Sequence, residues 1–445
     1  MRQFRWTGVF GILGVLLAWG CVDPQDPRGN DGTGGAPASG GAGPGGAGLG
    51  GAAGSGGDPG TDESSGSAGA AGSGNEDVDP AKRVTARVVN LSGQGLAGVR
   101  IDVDGQSGIS DEAGRIVFEN VAATYDARYV SAGKSDVILW KGVKRRDPVF
   151  QVSSSAQLST NVQGAVTSSV ALPGTAIVRV AILCEDGNGT FPAELSNGTN
   201  YSIGMPWPAP GEKSCRLLAL ALDDHTPVGV AAKDITLDES SSLTDQDLEL
   251  AAPTLRTITI GSQNVSAGAE VFSNAAWGPF AIDPREDSPG AFTLFIPELD
   301  PPVRTLLTGT SFGATRPGSV EEDLPADATS VTVDFSKVPS LVDPAPGGSV
   351  DEDTVFTWSS PSAAVVHTFY IKLYDVQAIV HTKASSEPFP DFAAAGIEIP
   401  PGTPGTWGVI SVSSPTTIDG LLGASTRPLP DKRYQAFEQG LVYKE

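Results

Sequence analysis

Short runs in which apolar and polar residues alternate constrain this chain more than any other feature. The stretch from Val84 to Asn90 alternates in this way, which is typical of a strand with one buried face. Similar runs recur after residue 81, separated by Gly, Pro, Asn and Asp, which favour turns. No long stretch carries the 3.6-residue period of an amphipathic helix. The sequence therefore predicts an all-β fold built from tandem β-sandwich modules.

The N-terminus has the pattern of an export signal. Arg2 and Arg5 precede an uncharged apolar run at residues 8–20, and Cys21 follows directly. About 13 residues are too few to span a bilayer, because a helix rises about 1.5 Å per residue and the apolar core is about 30 Å thick. A basic start, a short apolar run and a small residue before the cleavage site predict a signal peptide over residues 1–20.

Residues 17–21, Leu-Ala-Trp-Gly-Cys, resemble the end of a bacterial lipoprotein signal, although Ala18 and Trp19 depart from the usual pattern. The resemblance implies that Cys21 becomes the first residue of the mature chain and carries a lipid that anchors the protein to a membrane. The alternative is an ordinary signal peptide that is cut elsewhere, with Cys21 incidental. In some bacteria an Asp directly after this Cys signals inner-membrane retention. Because Val22 stands there, we expect the outer membrane, on its periplasmic or cell-surface face.

Residues 21–81 predict a disordered linker. They are mostly Gly, Ala, Ser, Asp and Pro, and large apolar side chains are too few to offset the entropy of ordering. The whole chain has a net charge of −23, which argues against nucleic acid as a partner because an acidic surface repels phosphates. With Cys21 assigned to the lipid, Cys184 and Cys215 remain. This even pair in an exported chain predicts a disulfide, and two buried free thiols are the alternative.

Residues 82–152 form the first predicted module. Within it, residues 95–103 read Gly-Leu-Ala-Gly-Val-Arg-Ile-Asp-Val and residues 110–118 read Ser-Asp-Glu-Ala-Gly-Arg-Ile-Val-Phe. These two stretches resemble the hairpins of the carboxypeptidase regulatory-like (transthyretin-like) family. The resemblance implies a non-catalytic, seven-stranded sandwich that serves as a spacer or interaction module.

Three further modules are predicted after the first. Residues 153–250 and 251–340 each show several strand patterns, although helix propensity leaves a helix open for the segment at 215–222. Residues 341–445 resemble a fibronectin type III-like sandwich followed by a C-terminal tail. The resemblance rests partly on residues 354–359, Thr-Val-Phe-Thr-Trp-Ser, and implies that Trp358 is a core residue. Together the two resemblances imply sandwiches of the Ig-like or transthyretin-like kind.

Two motifs match catalytic patterns by letter but not by context. Residues 309–313, Gly-Thr-Ser-Phe-Gly, fit a nucleophile elbow around Ser311, but the following Pro317 and Gly318 do not allow the helix that this motif needs. Residues 223–225, Asp-Asp-His, could be part of a metal or general-base site, but they are more simply a polar turn closed by Pro227. No catalytic residue is therefore predicted.

Binding sites leave weaker signals in the sequence. Asp102 and Asp104 could contribute to a calcium site, but no complete ligand loop accompanies them, so no metal or cofactor is predicted. Trp207 and Trp277, each close to a Pro, are predicted to lie in loops. They are candidates for stacking on sugar rings, and the alternative is that they cover the ends of a hydrophobic core.

Together these features predict a non-enzymatic, surface-exposed lipoprotein that acts in adhesion, envelope contact or scaffolding. Its partners would be the membrane, through the lipid anchor, and a cell-surface protein or polysaccharide. One alternative is a carbohydrate- or peptidoglycan-binding protein that uses loop aromatics. The second alternative is a secreted hydrolase with an unrecognised site.

Overall fold

The structure is a computed structural model. It describes residues 80–444 except for gaps at 91–92, 153–157, 186–189, 191, 196–198, 208–210, 266–268, 283–290, 313–317, 362–363, 414–415, 424–431 and 437–438. The predicted signal peptide, the predicted lipidation site Cys21 and almost all of the predicted linker lie outside these residues. The regular secondary structure of the described part consists almost wholly of β-strands, which confirms the predicted all-β class.

The described residues belong to one compact unit, and each module below is the part of that unit that falls in one predicted domain. The strands of the first module lie within residues 84–151 and follow a single 3₁₀ turn, Pro80–Lys82. Its seven strands form one sheet in the order β4-β1-β7 and a second run of strands in the order β6-β5-β2-β3. The strands are β1 (Val84–Val89), β2 (Arg100–Val103), β3 (Gln106–Ile109), β4 (Arg115–Phe118), β5 (Tyr125–Val130), β6 (Asp136–Val143) and β7 (Val149–Gln151).

The second module comprises residues 158–250. One sheet has the order β10-β9-β12-β13, and the facing sheet has the order β11-β8-β14, with β15 also paired to β8. The strands are β8 (Leu158–Ser168), β9 (Ile177–Cys184), β10 (Ala193–Glu194), β11 (Asn200–Trp207), β12 (Lys213–Asp223), β13 (Thr226–Leu237), β14 (Ser242–Leu243) and β15 (Leu248–Leu250).

The third module comprises residues 254–334, and the 3₁₀ turn Phe335–Lys337 follows it. Strands β19-β16-β22 form one sheet, and β18-β17-β20-β21 are neighbours in the other layer. The strands are β16 (Thr254–Gln263), β17 (Glu270–Trp277), β18 (Phe280–Ile282), β19 (Ala291–Glu298), β20 (Thr305–Phe312), β21 (Gly318–Asp323) and β22 (Ser330–Asp334).

The fourth module comprises residues 341–443. Strands β23-β25-β28 form its smaller sheet; in the larger layer β27-β26-β29 are neighbours, β30 and β31 both pair with β29, and β24 pairs with β31. The elements are β23 (Leu341–Asp343), β24 (Gly348–Val350), β25 (Val355–Trp358), β26 (Val366–Leu373), β27 (Val376–Thr382), β28 (Ser386–Pro388), β29 (Pro404–Val412), the one-turn helix α1 (Ile418–Leu421), β30 (Lys432–Ala436) and β31 (Gln439–Tyr443).

Strand pairing joins three of the modules into one 14-stranded sheet. Strand β21 of the third module pairs antiparallel with β30 of the fourth, with Val320 opposite Tyr434. Strand β27 of the fourth module pairs in parallel with β6 of the first, with Val380 opposite Leu139. The first module is thus attached to the last one, although the two are distant in the sequence.

Strand β12 is buried on both faces, which explains why its sequence does not alternate. Leu217, Ala219 and Ala221 belong to the core between the two sheets of the second module. Leu218 and Leu220, which point the other way, belong to the core of the third module. A strand covered on both faces reads as a continuous apolar run. The segment is therefore a strand, and the helix that propensity left open for it is wrong.

The position of Trp358 in the core of the fourth module confirms the prediction for this residue. It is 4% exposed and stacks on Phe369, with ring centroids 5.9 Å apart. The helices within the described ranges are all short, and none of them combines the length and the apolar character that crossing a bilayer requires.

Candidate functional site

The predicted disulfide is present between Cys184 and Cys215. The two residues lie directly opposite each other on the neighbouring strands β9 and β12, and both are buried in the core of the second module. The bridge spans 31 residues of sequence. In the chain-entropy model, closing a loop of that size stabilises the fold by about 3.5 kcal/mol.

The two tryptophans proposed as sugar platforms do not lie in loops. Trp277 is the last residue of β17, is 1% exposed and packs beside Phe280 in the core of the third module, so its ring does not face a ligand. The backbone of Trp207 is the end of β11, paired with Leu158 of β8. The loop placement was wrong because a Pro beside a Trp marks a strand end as readily as a loop.

Ser311 and His225 both have the structural roles that their sequence context favoured. Ser311 lies within β20 opposite Val271 and is 2% exposed, so the sharp exposed turn of a nucleophile elbow does not form around it. His225 and Asp224 form the two-residue turn between β12 and β13, with φ of 69° and 44°. A turn of this kind needs positive φ, which Asp and His tolerate better than most residues.

His367 is buried in the fourth module between two hydroxyl groups. Its Nδ1 lies 2.7 Å from Ser411 Oγ, and its Nε2 lies 3.0 Å from Ser360 Oγ. Burial lowers the pKa of His367, which favours the neutral ring. Held between two hydroxyls and packed edge-on against Trp358, this histidine links the strands of the module.

Asp102, considered for calcium, is instead held by two arginines. Its carboxylate accepts hydrogen bonds from Arg128 at 2.7 and 3.0 Å, from Arg100 at 3.0 Å and from Ser107 at 2.6 Å. Burial acts to raise the pKa of Asp102, but the hydrogen bonds from Ser107 and the two arginines outweigh it and hold the pKa below its ordinary value. Across the described residues, no three His, Cys, Asp or Glu side chains are grouped to hold a metal ion.

Polar groups reinforce the junction between the first and fourth modules. Lys141 of β6 forms an ion pair with Glu387, which is only 3% exposed. The carboxylate of Asp419, on α1, accepts hydrogen bonds from the backbone N–H groups of Lys144 and Arg145, at 2.8 and 2.9 Å. Charge-assisted bonds of this kind are stronger and more directional than neutral ones. They therefore fix how the first module is seated on the fourth.

Two further polar contacts lie at the end of the junction where the paired register of β6 and β27 begins. The side-chain amide of Gln377 donates to Asp136 at 2.6 Å, and Lys134 Nζ donates to the carbonyl oxygen of Gly396 at 2.9 Å. At the other end of the paired register Trp140 lies opposite His381, and their rings pack with centroids 5.9 Å apart. Both rings are buried. The junction thus combines a buried aromatic contact with polar contacts near both ends of the paired strands.

A cleft of about 380 Å³ opens beside the turn between β26 and β27. Tyr374 forms this turn and is 76% exposed, and Asp375 follows it. The opposite side is formed by Glu398, Ile399 and Pro400, which lead toward β29. The cleft therefore presents an aromatic ring, two carboxylates and an apolar wall to solvent.

Backbone hydrogen bonds hold both sides of this cleft in place. The N–H of Tyr374 donates to the carbonyl oxygen of Pro404 at 3.3 Å, and the Thr403 hydroxyl donates to the carbonyl oxygen of Pro400 at 2.6 Å. The loop is also tied to β31, where the Gly402 N–H donates to the backbone carbonyl oxygen of Tyr443 at 2.8 Å. The cleft is thus framed by the sheet itself.

Sequence reasoning missed Tyr374 because the residue reads as the end of an alternating strand. Its one distinctive property is a φ of 57°, a value that favours glycine and is uncommon for a large side chain. Nothing in the sequence reports that angle. The nearby residues 398–404, rich in Pro and Gly, signal a turn but not a partner across it.

No protein-family model matches the chain, and none of the curated proteins matches it either. The solved structures similar to it include the Bacillus anthracis TIE protein, at 9% identity and a TM-score of 0.17. That match covers 57% of this chain and 50% of the other, so the chain spans half the length of that structure.

Two further solved structures are similar to parts of the chain. The minor pilin of Streptococcus agalactiae is 12% identical with a TM-score of 0.20, and the match covers 39% of this chain and 97% of the pilin. The fimbrial anchor protein of Porphyromonas gingivalis is 10% identical with a TM-score of 0.16, covering 34% of this chain and 78% of that protein.

Proposed function

We propose that this protein is an exported, lipid-anchored, non-enzymatic surface protein of a Gram-negative bacterium that acts in adhesion, envelope contact or scaffolding. The observation that supports this most is the sheet shared by the first, third and fourth modules. Main-chain hydrogen bonds across two module junctions make a stiff body, which suits a protein that presents a surface at a distance from its anchor.

Several ionisable side chains that could take part in chemistry instead hold the folded body together. Lys141, Glu387 and Asp419 join the first module to the fourth, and Asp102 is bound by arginines within the first module. Ser311 lies inside a strand. This use of reactive groups as structural ties supports a scaffold over the hydrolase considered from the sequence.

Export is supported by the disulfide between Cys184 and Cys215. Disulfides persist in oxidising compartments and are rare in the cytosol. The lipid anchor rests on the sequence alone, on the apolar run before Cys21 and the resemblance of residues 17–21 to a lipoprotein signal. The outer membrane is proposed because Val22, and not Asp, follows the cysteine.

The anchor is tested by metabolic labelling of the full chain with radioactive palmitate in a Gram-negative host. We expect the label on the wild-type chain and none on Cys21→Ser. The double variant Cys184→Ser/Cys215→Ser is the matched control, because it removes two cysteines but leaves the proposed lipid site. An unlabelled wild-type chain, or equal labelling of Cys21→Ser, would refute the anchor.

The adhesion or scaffold role is tested in the bacterium that produces the chain. Deleting the gene should reduce attachment of intact cells to a surface or to each other, and the full chain should restore it. A chain that carries Cys21→Ser should not restore attachment, because it would be released from the membrane. Unchanged attachment and envelope integrity in the deletion strain would contradict the proposed role.

A further inference from the structure

The cleft beside Tyr374 has the chemistry of a sugar-binding site, and we propose that it binds a polysaccharide through an uncharged or amino-bearing hexose ring. The inference supplies a ligand class for the surface role proposed above and rests on that role for its biological setting. It depends on three properties of the cleft, which are its exposed aromatic ring, its two carboxylates and its fixed frame.

The ring of Tyr374 is the most exposed of the large apolar side chains in the described part of the chain, at 76%. A ring in this position contributes little to the core. A ligand that covers it would remove its apolar surface from water, which favours binding. The C–H face of a hexose is flat and apolar and matches an aromatic face. Ile399 and Pro400 supply a second apolar surface across the cleft.

The carboxylates of Asp375 and Glu398 decide which sugars fit. An ionised carboxylate is purely an acceptor, and sugar hydroxyl or ammonium groups are donors that can satisfy it. The same two charges, on a chain with a net charge of −23, repel uronic acids and phosphorylated sugars. The ligand is therefore an uncharged or an amino hexose rather than an acidic one.

The cleft is fixed before a ligand arrives. Tyr374 is tied to Pro404, and the facing loop is tied to β31 through Gly402 and Tyr443. A site that is already ordered loses less entropy on binding, so a small cleft can retain a sugar. On a polysaccharide, many weak contacts of this kind on many anchored copies would add up to strong attachment.

The test measures retention of the detergent-solubilised full chain on cellulose, dextran, chitosan and polygalacturonate. We expect retention on at least one of the uncharged or amino polymers and none on polygalacturonate. Tyr374→Ala should weaken retention at least about tenfold, because the stacking surface is lost. Tyr374→Phe should stay within about twofold of wild type, because the ring remains. Glu398→Gln should weaken retention about threefold.

Phe272→Ala is the matched control, since Phe272 is an exposed aromatic residue on a different module. It should bind as the wild type does. The proposal is overturned if the wild-type chain is retained by none of the uncharged or amino polymers, if it prefers polygalacturonate, or if Tyr374→Ala and Phe272→Ala behave alike. A wild-type chain that forms dimers but is not retained on any sugar polymer would also overturn the proposal. If Tyr374→Ala then abolished the dimers, the cleft would be assigned to contact with a second copy of the chain. Palmitate labelling is independent of all these outcomes, so failure of this inference and failure of the anchor are distinguishable.

Discussion

The second and the first module are attached to the rest of the protein in opposite ways. The second module lays the outer face of its β9-β12-β13 sheet on the third module, and Leu218 and Leu220 are buried in the contact. The first module instead pairs the edge strand β6 with β27 of the fourth module and secures it with the Lys141–Glu387 ion pair. The first junction is made by apolar side chains, whereas the second adds main-chain hydrogen bonds and charges to its buried side-chain contacts.

The two kinds of junction require different residues in the sequence. A buried face needs a second row of apolar residues, so it replaces strand alternation by a continuous apolar run. A buried edge needs only main-chain N–H and C=O groups, which every residue except Pro supplies. Specificity at an edge must therefore come from a few side chains at its margins, such as Glu387 and Asp419.

The largest effect is expected from Leu220→Ala at the face junction. Leu220 is fully buried, so the variant should lower the free energy of unfolding by about 3 kcal/mol through lost contacts and a cavity. Native-state hydrogen exchange should become faster in β17, on the far side of the junction. Denaturant unfolding and exchange mass spectrometry measure the two effects.

Leu217→Ala is the control for that variant, because Leu217 is equally buried on the same strand but faces the core of the second module. It should be destabilising to a similar degree, with faster exchange in β8 and β11 and not in β17. If both variants affect β17 equally, the two faces of β12 are not energetically separate.

An intermediate effect is expected from Glu387→Gln at the edge junction. Removing one partner of a buried ion pair is costly, but the Lys141 side chain is 30% exposed and can be solvated, so we expect a loss of about 2 kcal/mol. Exchange should become faster in β6 and β27 and stay unchanged in β17. Asp234→Asn breaks a pair whose carboxylate is 78% exposed, and it should change stability by about 0.5 kcal/mol or less. Equal effects of the two variants would mean that the junction does not depend on its ion pair.

The smallest effect is expected from mild acid, and it should fall on the first module. The pKa of Asp102 in the folded protein lies below its ordinary value of 3.8, so this carboxylate stabilises the fold fully above about pH 5. The contribution is lost as the pH falls below 3.8 and Asp102 becomes protonated. Hydrogen exchange between pH 5 and pH 3, corrected for its intrinsic pH dependence, should show β2 and β5 losing protection before β12.

Asp102→Asn provides the comparison for the acid experiment. The variant should be less stable at pH 6 and should lose less protection in β2 and β5 on acidification, because the titrating group is gone. An unchanged pH dependence in this variant would show that another group causes the acid sensitivity of the first module.

Strands and turns were predicted well from the sequence because they depend on residues that are close together in the chain. Alternation predicted β1, and turn residues predicted the turn at Asp224 and His225. The disulfide was predicted from the even number of cysteines that remained. The predicted sites fared differently. Trp277 is buried in a strand, and the exposed aromatic residue of the cleft is Tyr374. Exposure depends on what packs against a residue from distant parts of the chain, and one sequence does not contain that information.

What the sequence by itself determined is the all-β class, since the period of its apolar residues admits strands and few helices. The export signal, the lipid on Cys21 and the module resemblances stay predictions from the sequence. Only the tertiary structure decided that β6 lies beside β27 and that Tyr374 stands at the rim of a cleft. The physical reason is that backbone hydrogen bonds are the same at every strand edge, so their partners are chosen by the packing of the whole chain.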